Sequence, residues 1–481
     1  MKKLISLLAV LCTLCILMSS CSFVPLMENP ITKTTSTTES EDSSAPGKDD
    51  VKAVAELYRR IEDATEALES YTIDEKAKTS VTVEGVKIES DAVSNIVVYN
   101  HKSMGLRYKA VSETLTRAGL QGSVSLKEET CYEGGHIYLK RQSDDYLHFG
   151  NILAPMTEER FMQYLEEESF DIKGFLEECG ESEWSRDDNG YYMITAQKGS
   201  QRSIDDFSEK TGYDAELFGV KIEDVKLSIS ADENFCLQRV IIQTVFEQGG
   251  GEPPVMTIQL NYTDHNKTRA PSRPLDTGYK KIDSFDLIED LEKLLEGIKV
   301  SENGSFVRKM TQESKRSSYS DATLIMSEDS QVSYETKDKK LTFTANAQTK
   351  VPSAYEGALE TVLEYADGTL VSTDPVNGKV SAQQSEEDAR AFINSLMIPD
   401  AFDRDLLTDI SFNGNAYIVR GTPSNTLTFR QELGAAGANV TDATYHANIS
   451  VRDGKVTKIL ITLTYIFSSD RMVYTYDITY N

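Results

Sequence analysis

Tryptophan occurs once, at Trp184, and histidine only five times in 481 residues, at His101, His136, His148, His265 and His446. Imidazoles so scattered lack the close spacing of a metal site or a proton-transfer pair, so neither role is read from them. No G-x-S-x-G, H-E-x-x-H or P-loop pattern occurs, and none of the later cysteines stands beside a histidine. The chain is therefore expected to be no enzyme and to hold no cofactor and no metal. Acidic pairs such as Glu158-Glu159, Asp187-Asp188 and Glu386-Glu387 offer the two carboxylates that glycoside hydrolysis needs. Among 77 acidic residues such pairs are expected from composition and read as solvated surface. A lone tryptophan also leaves no platform for stacking sugars.

Positive charge is scarce: 50 basic against 77 acidic residues, a net charge of −27. A surface this anionic repels phosphate backbones, which excludes nucleic acid as a partner, and it is not drawn to anionic lipid by charge. Cysteine is also sparse. Beyond Cys12, Cys15 and Cys21 only Cys131, Cys179 and Cys236 remain, and three widely spaced thiols are no disulfide framework. They read as small hydrophobes of the interior, with a single pairing among them left open.

One stretch is strongly apolar. Lys2-Lys3 precedes the run Leu4 to Met18, which ends in Ser19-Ser20-Cys21, the charged, apolar and small-residue order of a secretion signal. The run is short of the roughly 20 residues a spanning helix needs, and a polar segment follows, so cleavage is expected rather than retention. Leu17-Met18-Ser19-Ser20-Cys21 resembles the lipobox of bacterial lipoproteins, departing only in Met18 where leucine is preferred. The resemblance implies that residues 1–20 are removed and that Cys21 is diacylated and becomes the new N-terminus; an ordinary secreted protein is the alternative. Acyl chains bury methylenes at about 0.8 kcal/mol each, so several on one residue anchor the chain stably. Losing Lys2 and Lys3 with no acid leaves 48 basic against 77 acidic residues, a net of −29.

Residues 21–50 are expected to be the lipidated N-terminus and a disordered linker; from about Asn29 to Asp50 there is almost no apolar content, and the segment reads as a tether able to hold a folded part on the order of 25 Å from the lipid. A second break, 266–283, carries Arg269-Ala270-Pro271-Ser272-Arg273-Pro274. It separates two bodies, 51–265 and 284–481, that look alike. Each opens with an amphipathic helix, through Val54, Leu57, Tyr58, Ile61 and Leu68, or through Leu287, Ile288, Leu291, Leu294, Leu295 and Ile298. Each continues through alternating strands to an acid-led helix capped by Thr157 or Ser385, then a strand (Tyr191–Ala196 or Ala416–Arg420) and a helical piece near Phe207 or Phe429. Three period-two strands close each body. Leu227-Ile229-Ala231 matches Ala447-Ile449-Val451, Val240-Ile242-Thr244-Phe246 matches Ile459-Ile461-Leu463-Tyr465, and Met256-Ile258-Leu260-Tyr262 matches Tyr474-Tyr476-Ile478-Tyr480. A duplicated module is the reading; two unrelated α+β domains with amphipathic strands is the alternative.

This order of elements, with the lipobox, resembles the LolA-type and LprG/LppX-type lipoprotein carriers, from Val51 to Tyr262 and again from Ser284 to Tyr480. No short motif carries the resemblance, so no ligand-binding residue is transferred by position. It implies an α+β fold of two tandem modules, each a curved antiparallel β-sheet, a half-barrel, wrapped around helices and enclosing an apolar cavity. The function expected is a lipid-anchored protein of the cell membrane, facing outside the cytoplasm, that binds lipid or another apolar or amphiphilic ligand, or an envelope protein. The alternative is a structural or interaction lipoprotein with filled cores; an envelope hydrolase ranks below both. Tyr474, Tyr476 and Tyr480 either line a cavity or belong to an ordinary sheet core, and Gly434-Ala435-Ala436-Gly437-Ala438 reads as a loop rather than a membrane-inserting element. With Cys21→Ser, labelled fatty acid incorporated by the wild type should be absent from the protein, and the chain should move from the membrane to the soluble fraction; retained label would show that acylation lies elsewhere.

Overall fold

The computed structural model describes residues 51–83, 86–118, 123–143, 151–167, 169–211, 221–247, 255–299, 303–316, 322–337, 340–354, 356–399, 402, 406–423, 440–467 and 470–481. The leader, Cys21, the tether, His148, the piece around Phe429 and the stretch 434–438 lie outside them.

Helix α1 (Val51–Glu66) leads into β1 (Ser70–Val83), β2 (Val86–His101), β3 (Gly105–Ala118), β4 (Ser123–Glu133), β5 (His136–Ser143) and β6 (Ile152–Pro155). Helices α2 (Glu158–Glu167) and α3 (Ile172–Glu178), strands β7 (Glu181–Arg186) and β8 (Tyr192–Gln197), α4 (Gln201–Thr211), β9 (Ile222–Ala231), β10 (Leu237–Phe246) and β11 (Val255–Thr263) follow. After the two-residue β12 (Lys280–Lys281) come α5 (Asp286–Glu296), β13 (Asn303–Arg316), β14 (Thr323–Lys337), β15 (Lys340–Lys350), β16 (Leu359–Ala366), β17 (Thr369–Asp374) and β18 (Gly378–Gln383). The chain ends through α6 (Glu386–Met397), β19 (Leu407–Phe412), β20 (Ala416–Gly421), β21 (Asp442–Arg452), β22 (Lys455–Phe467) and β23 (Asp470–Tyr480). Two compact units result, divided between Tyr279 and Lys280, with Asn151 and Ile152 grouped with the second.

The expected α+β half-barrel wrapped around helices is overturned. The described residues form two large antiparallel sheets, of 12 and 11 strands, against six helices of 7 to 16 residues. Strands reach 16 residues, and runs of consecutive strands, β1 to β5 and β13 to β18, pair each with the next through short connections, so the sheets extend without a helical scaffold. Gly134-Gly135 and Asp367-Gly368, all at positive φ, make the two-residue turns β4–β5 and β16–β17; such turns match the twist of the flanking strands. The helices are accessories to a mainly-β fold.

Apart from β12, the first sheet runs β6-β5-β4-β3-β2-β1-β11-β10-β9-β8-β7, and the second runs β18-β17-β16-β15-β14-β13-β23-β22-β21-β20-β19. Adding twelve to each number of the first order produces the second. In both, the first long strand pairs with the last, Ile73 opposite Tyr262 and Phe306 opposite Tyr480.

The closing strands bury the faces their alternation marks: Leu227, Ile229, Val240, Ile242, Ile258 and Leu260 in the first unit, and Ala447, Ile449, Ile459, Ile461 and Ile478 in the second. Fully burying one such aliphatic side chain contributes about 1.5–3 kcal/mol. Val54, Leu57, Tyr58 and Ile61 form the buried stripe of α1. Thr65, at its last turn, donates to the Ile61 carbonyl at 2.8 Å and accepts from the Leu237 N–H at 3.1 Å, tying the helix end to β10.

The helix after the sixth strand is held by aromatics in both units. Phe161 of α2 stacks on Tyr132 with centroids 4.3 Å apart and meets Tyr108 edge-on at 5.3 Å. Phe392 of α6 lies 5.9 Å from Phe343, which stacks on Tyr365 at 5.6 Å. Tyr108 faces Tyr132 across β3–β4 as Phe343 faces Tyr365 across β15–β16. Ser385 caps α6 by accepting from the Asp388 N–H at 3.1 Å, and Thr157 accepts from the Arg160 N–H at 3.2 Å. Phe161 is fully buried, so Phe161→Ala should cost about 3–5 kcal/mol in urea unfolding, the usual range for a core phenylalanine; a loss below about 1 kcal/mol would show that the stack does not hold α2.

Candidate functional site

The inner face of the first sheet changes character along its width. Beside the aliphatic half on β9, β10 and β11, whose Leu260 faces Glu75, strands β1 to β5 carry a largely buried row in register: Glu75, Ser94, Ser112, Glu128 and Arg141. The next row in the same phase is Ile258, Ala77, Ala92, Thr114 and Leu126. One step further, the hydroxyls of Ser90 and Thr116 meet at 3.0 Å. Strand alternation places these polar groups inside, because Glu75 shares its phase with Tyr71, Ile73 and Ala77, all buried.

Glu75 is 3% exposed, and burial pushes its carboxyl up to about 8 against a smaller opposing hydrogen bond from Ser94. At neutral pH it is mostly the uncharged acid, able to donate as well as accept. Its Oε1 has no hydrogen-bond partner, and neither do the buried hydroxyls of Thr79, Thr114 and Thr244. Most buried polar side-chain atoms are paired, so four unpaired ones on one face set this part of the sheet apart from an ordinary core. At the far end of the row Arg141 Nε donates to Glu128 at 2.5 Å, the pair being largely buried.

The second unit places a different side chain at the same point. With Tyr480 in the place of Tyr262, the residue opposite Ile478 is Arg308, where Leu260 faces Glu75. Arg308 donates to Glu328 at 2.5 Å and lies 5.1 Å over the Tyr476 ring. Its Nε is buried without a partner. Tyr474, Tyr476 and Tyr480 share a face with buried Ile478 yet are themselves only half-buried; the Tyr480 hydroxyl donates to the Met397 carbonyl at 2.5 Å. At this exposure the three are neither sealed in a core nor on an open solvent face.

The other candidates of the sequence do not converge. Asp187 caps its own turn, accepting from the N–H groups of Asn189 and Tyr191. Glu386 pairs with Arg390 at 2.8 Å along α6, while Glu158, Glu159 and Glu387 are exposed. His101 Nδ1 lies 2.8 Å from Ser103 Oγ, and its Nε2 3.8 Å from Glu69. That contact sits on the exposed β2–β3 turn, with the carboxylate beyond hydrogen-bond reach. The three thiols are free; burial pushes that of Cys131 up to about 12, which removes it as a nucleophile. On the outer face of β7–β10 an open polar groove of about 460 Å3 is lined by Glu181, Glu183, Lys226 and Gln243 among others. Sequence reasoning missed Glu75 and Arg308, although the alternation around each signals an inward position.

No family model matches the chain, and no curated protein matches it. Similar solved structures include the Mycobacterium tuberculosis lipoprotein LppX, 14% identical over 46% of this chain and 99% of LppX, with a TM-score of 0.23. A DUF1329-family protein from Desulfovibrio piger is 9% identical over 48% of this chain and 98% of its own, with a TM-score of 0.18. The β domain of the Bordetella autotransporter BrkA is 5% identical over 85% of this chain and 99% of its own, at 0.11. Likeness at this level assigns neither fold nor ligand; the fold rests on the strand order and register above. Among the described residues no helix is long and apolar enough to cross a membrane.

Glu75 supplies a pH test. Its carboxyl titrates near 4.5 when unfolded and about 8 when folded, so its contribution is fully present below 4.5 and is lost as pH rises towards about 8. Between those values the unfolded state has released a proton that the native state keeps, and stability falls by about 1.4 kcal/mol per pH unit. Glu75→Gln should remove that slope, so that urea unfolding at pH 5, 7 and 9 shows the variant gaining on the wild type as pH rises. A constant difference across the three would refute the raised carboxyl.

Proposed function

We propose that the chain is a lipid-anchored protein of the cell membrane, facing outside the cytoplasm, that binds an amphiphilic ligand without chemical conversion. The inner sheet faces are the binding surfaces in this reading. The observation that carries it is the set of buried, unpartnered polar atoms of Glu75, Thr79, Thr114 and Thr244 on the same sheet face as the aliphatic residues of β9 to β11. A surface that is apolar on one side and offers orphaned donors and acceptors on the other complements a molecule with a hydrocarbon part and a hydroxyl, ester or amide. Leaving such groups without partners costs about 1–3 kcal/mol each, a cost that a ligand's polar atoms relieve. Anchoring through Cys21 keeps the binding faces near the lipid surface, and the acidic balance of the chain leaves that contact to the acyl chains.

Filled cores would make the chain a structural or interaction lipoprotein instead, and the stacked aromatics Phe161 and Tyr132 favour that for the end of the first sheet they occupy. The test is mass spectrometry of molecules co-purifying with the full chain carrying Cys21→Ser, which removes the anchor's own lipid. An amphiphile near one equivalent is expected. Ala92→Phe, which fills the row beside Glu75, should lower it by more than about tenfold, a change of 1.4 kcal/mol, while circular dichroism stays unchanged. A folded wild type that carries nothing would rule out the ligand and leave the interaction reading.

A further inference from the structure

The turn between β9 and β10 is longer than its counterpart. In the second unit Asp453-Gly454 suffice to join β21 to β22, with Arg452 opposite Lys455. In the first, Ala231 pairs with Leu237, and Asp232 to Cys236 bridge them. The additional residues carry Asp232 and Cys236, and the segment just past β11 carries His265 to the same place. One ligand-type atom from each of the three lies within 4.8 Å of the others.

The surroundings hold these groups in position. Asp232 Oδ1 accepts from the N–H groups of Asn234 and Cys236, both at 2.9 Å, and its Oδ2 accepts from Gln238 at 3.3 Å, which leaves lone pairs on the carboxylate. Phe235, between them, takes a positive φ of 64°, a conformation rare for a bulky residue. Its ring stacks on Tyr192 at 4.6 Å and lies beneath the Arg60 guanidinium at 4.1 Å. On the His265 ring, Nε2 is buried with no hydrogen-bond partner. An imidazole with an unpaired nitrogen, set beside a carboxylate and a thiol, has a lone pair to offer a metal ion.

We infer that Asp232, Cys236 and His265 form a binding site for a zinc ion. An oxygen, a thiolate sulfur and an imidazole nitrogen suit zinc, a borderline cation that takes all three, whereas magnesium and calcium take oxygen sets. Carboxylate and thiolate together balance the two positive charges. The three residues are only half-buried, so the fourth tetrahedral position is open to water or to a partner's side chain. Zinc-bound, the turn would clamp the end of β11 to the β9–β10 hairpin. The binding of an amphiphile plays no part in this inference.

The test is zinc titration of the full chain, followed by dialysis and metal analysis, with cobalt as the optical probe. One zinc per chain is expected, and a thiolate-to-cobalt charge-transfer band that Cys236→Ser abolishes and Cys131→Ser preserves. His265→Gln should weaken zinc by more than about 100-fold, beyond what loss of an outer-shell partner costs. In the unaltered chain zinc should also protect Cys236 from alkylation, a readout that needs no variant. Absence of the cobalt band, affinity unchanged in His265→Gln, or alkylation of Cys236 at the same rate with zinc present would each overturn the site.

Discussion

Each unit depends on one long-range seam: the antiparallel pairing of its first long strand with its last, β1 with β11 and β13 with β23. Without it, each sheet would be two separate meanders. The seam brings the aliphatic strands of the C-terminal half beside the strands of the N-terminal half, and it sets the phase. Side chains alternate between faces, so a slip of one residue would turn Glu75 and Ile73 outward and bring Asp74 and Lys76 in. The buried row that crosses the sheet exists only in the observed register. Such pairing between chain ends also costs more loop-closure entropy than the local hairpins that lead to it.

On a common strand order the two units exchange side chains in compensating ways. Tyr71 faces Val98 in the first; the corresponding pair in the second is Gly304 and Tyr334, the bulk having crossed to the neighbouring strand. A Cβ at Gly304 would run into the Tyr334 ring, which explains the glycine within that strand. The exchange of Glu75 for Arg308 changes the electrostatics as well as the size of the side chain. A buried acid can shed its charge by keeping its proton, and burial holds Glu75 in that state. Arginine cannot, so Arg308 keeps Glu328 and the Tyr476 ring as company. Two faces built alike thus present a neutral acid in one case and a paired cation in the other.

Much of the local structure was legible. Val240 to Phe246 and Ile459 to Tyr465 bury the alternate positions their sequence marks, and Ser385 caps the helix it precedes. The error lay in the balance of the fold: alternation identifies a strand but not how many neighbours it pairs with, so sheets of 12 and 11 strands were read as half-barrels around helices. Glu75 escaped notice for a related reason. In the run Thr72 to Lys78 it sits among charged residues and looks solvated, and only its phase with Tyr71 and Ile73 places it inside. His265 had no local signal at all, because the residues it meets belong to a turn that precedes it in the chain and lies beside it only through the β10–β11 ladder.

The amino-acid order alone determined the elements and their faces, since helix caps, two-residue turns and alternation are short-range steric and hydrogen-bonding effects that neighbours in sequence settle. The export and acylation expected from Lys2 to Cys21 rest on contiguous residues in the same way. Tertiary structure decided which strands pair, that Glu75 and three threonines end inside without partners, and that Asp232, Cys236 and His265 share one small volume. Those outcomes follow from backbone hydrogen bonds between distant segments, and no stretch of sequence contains both sides of such a bond.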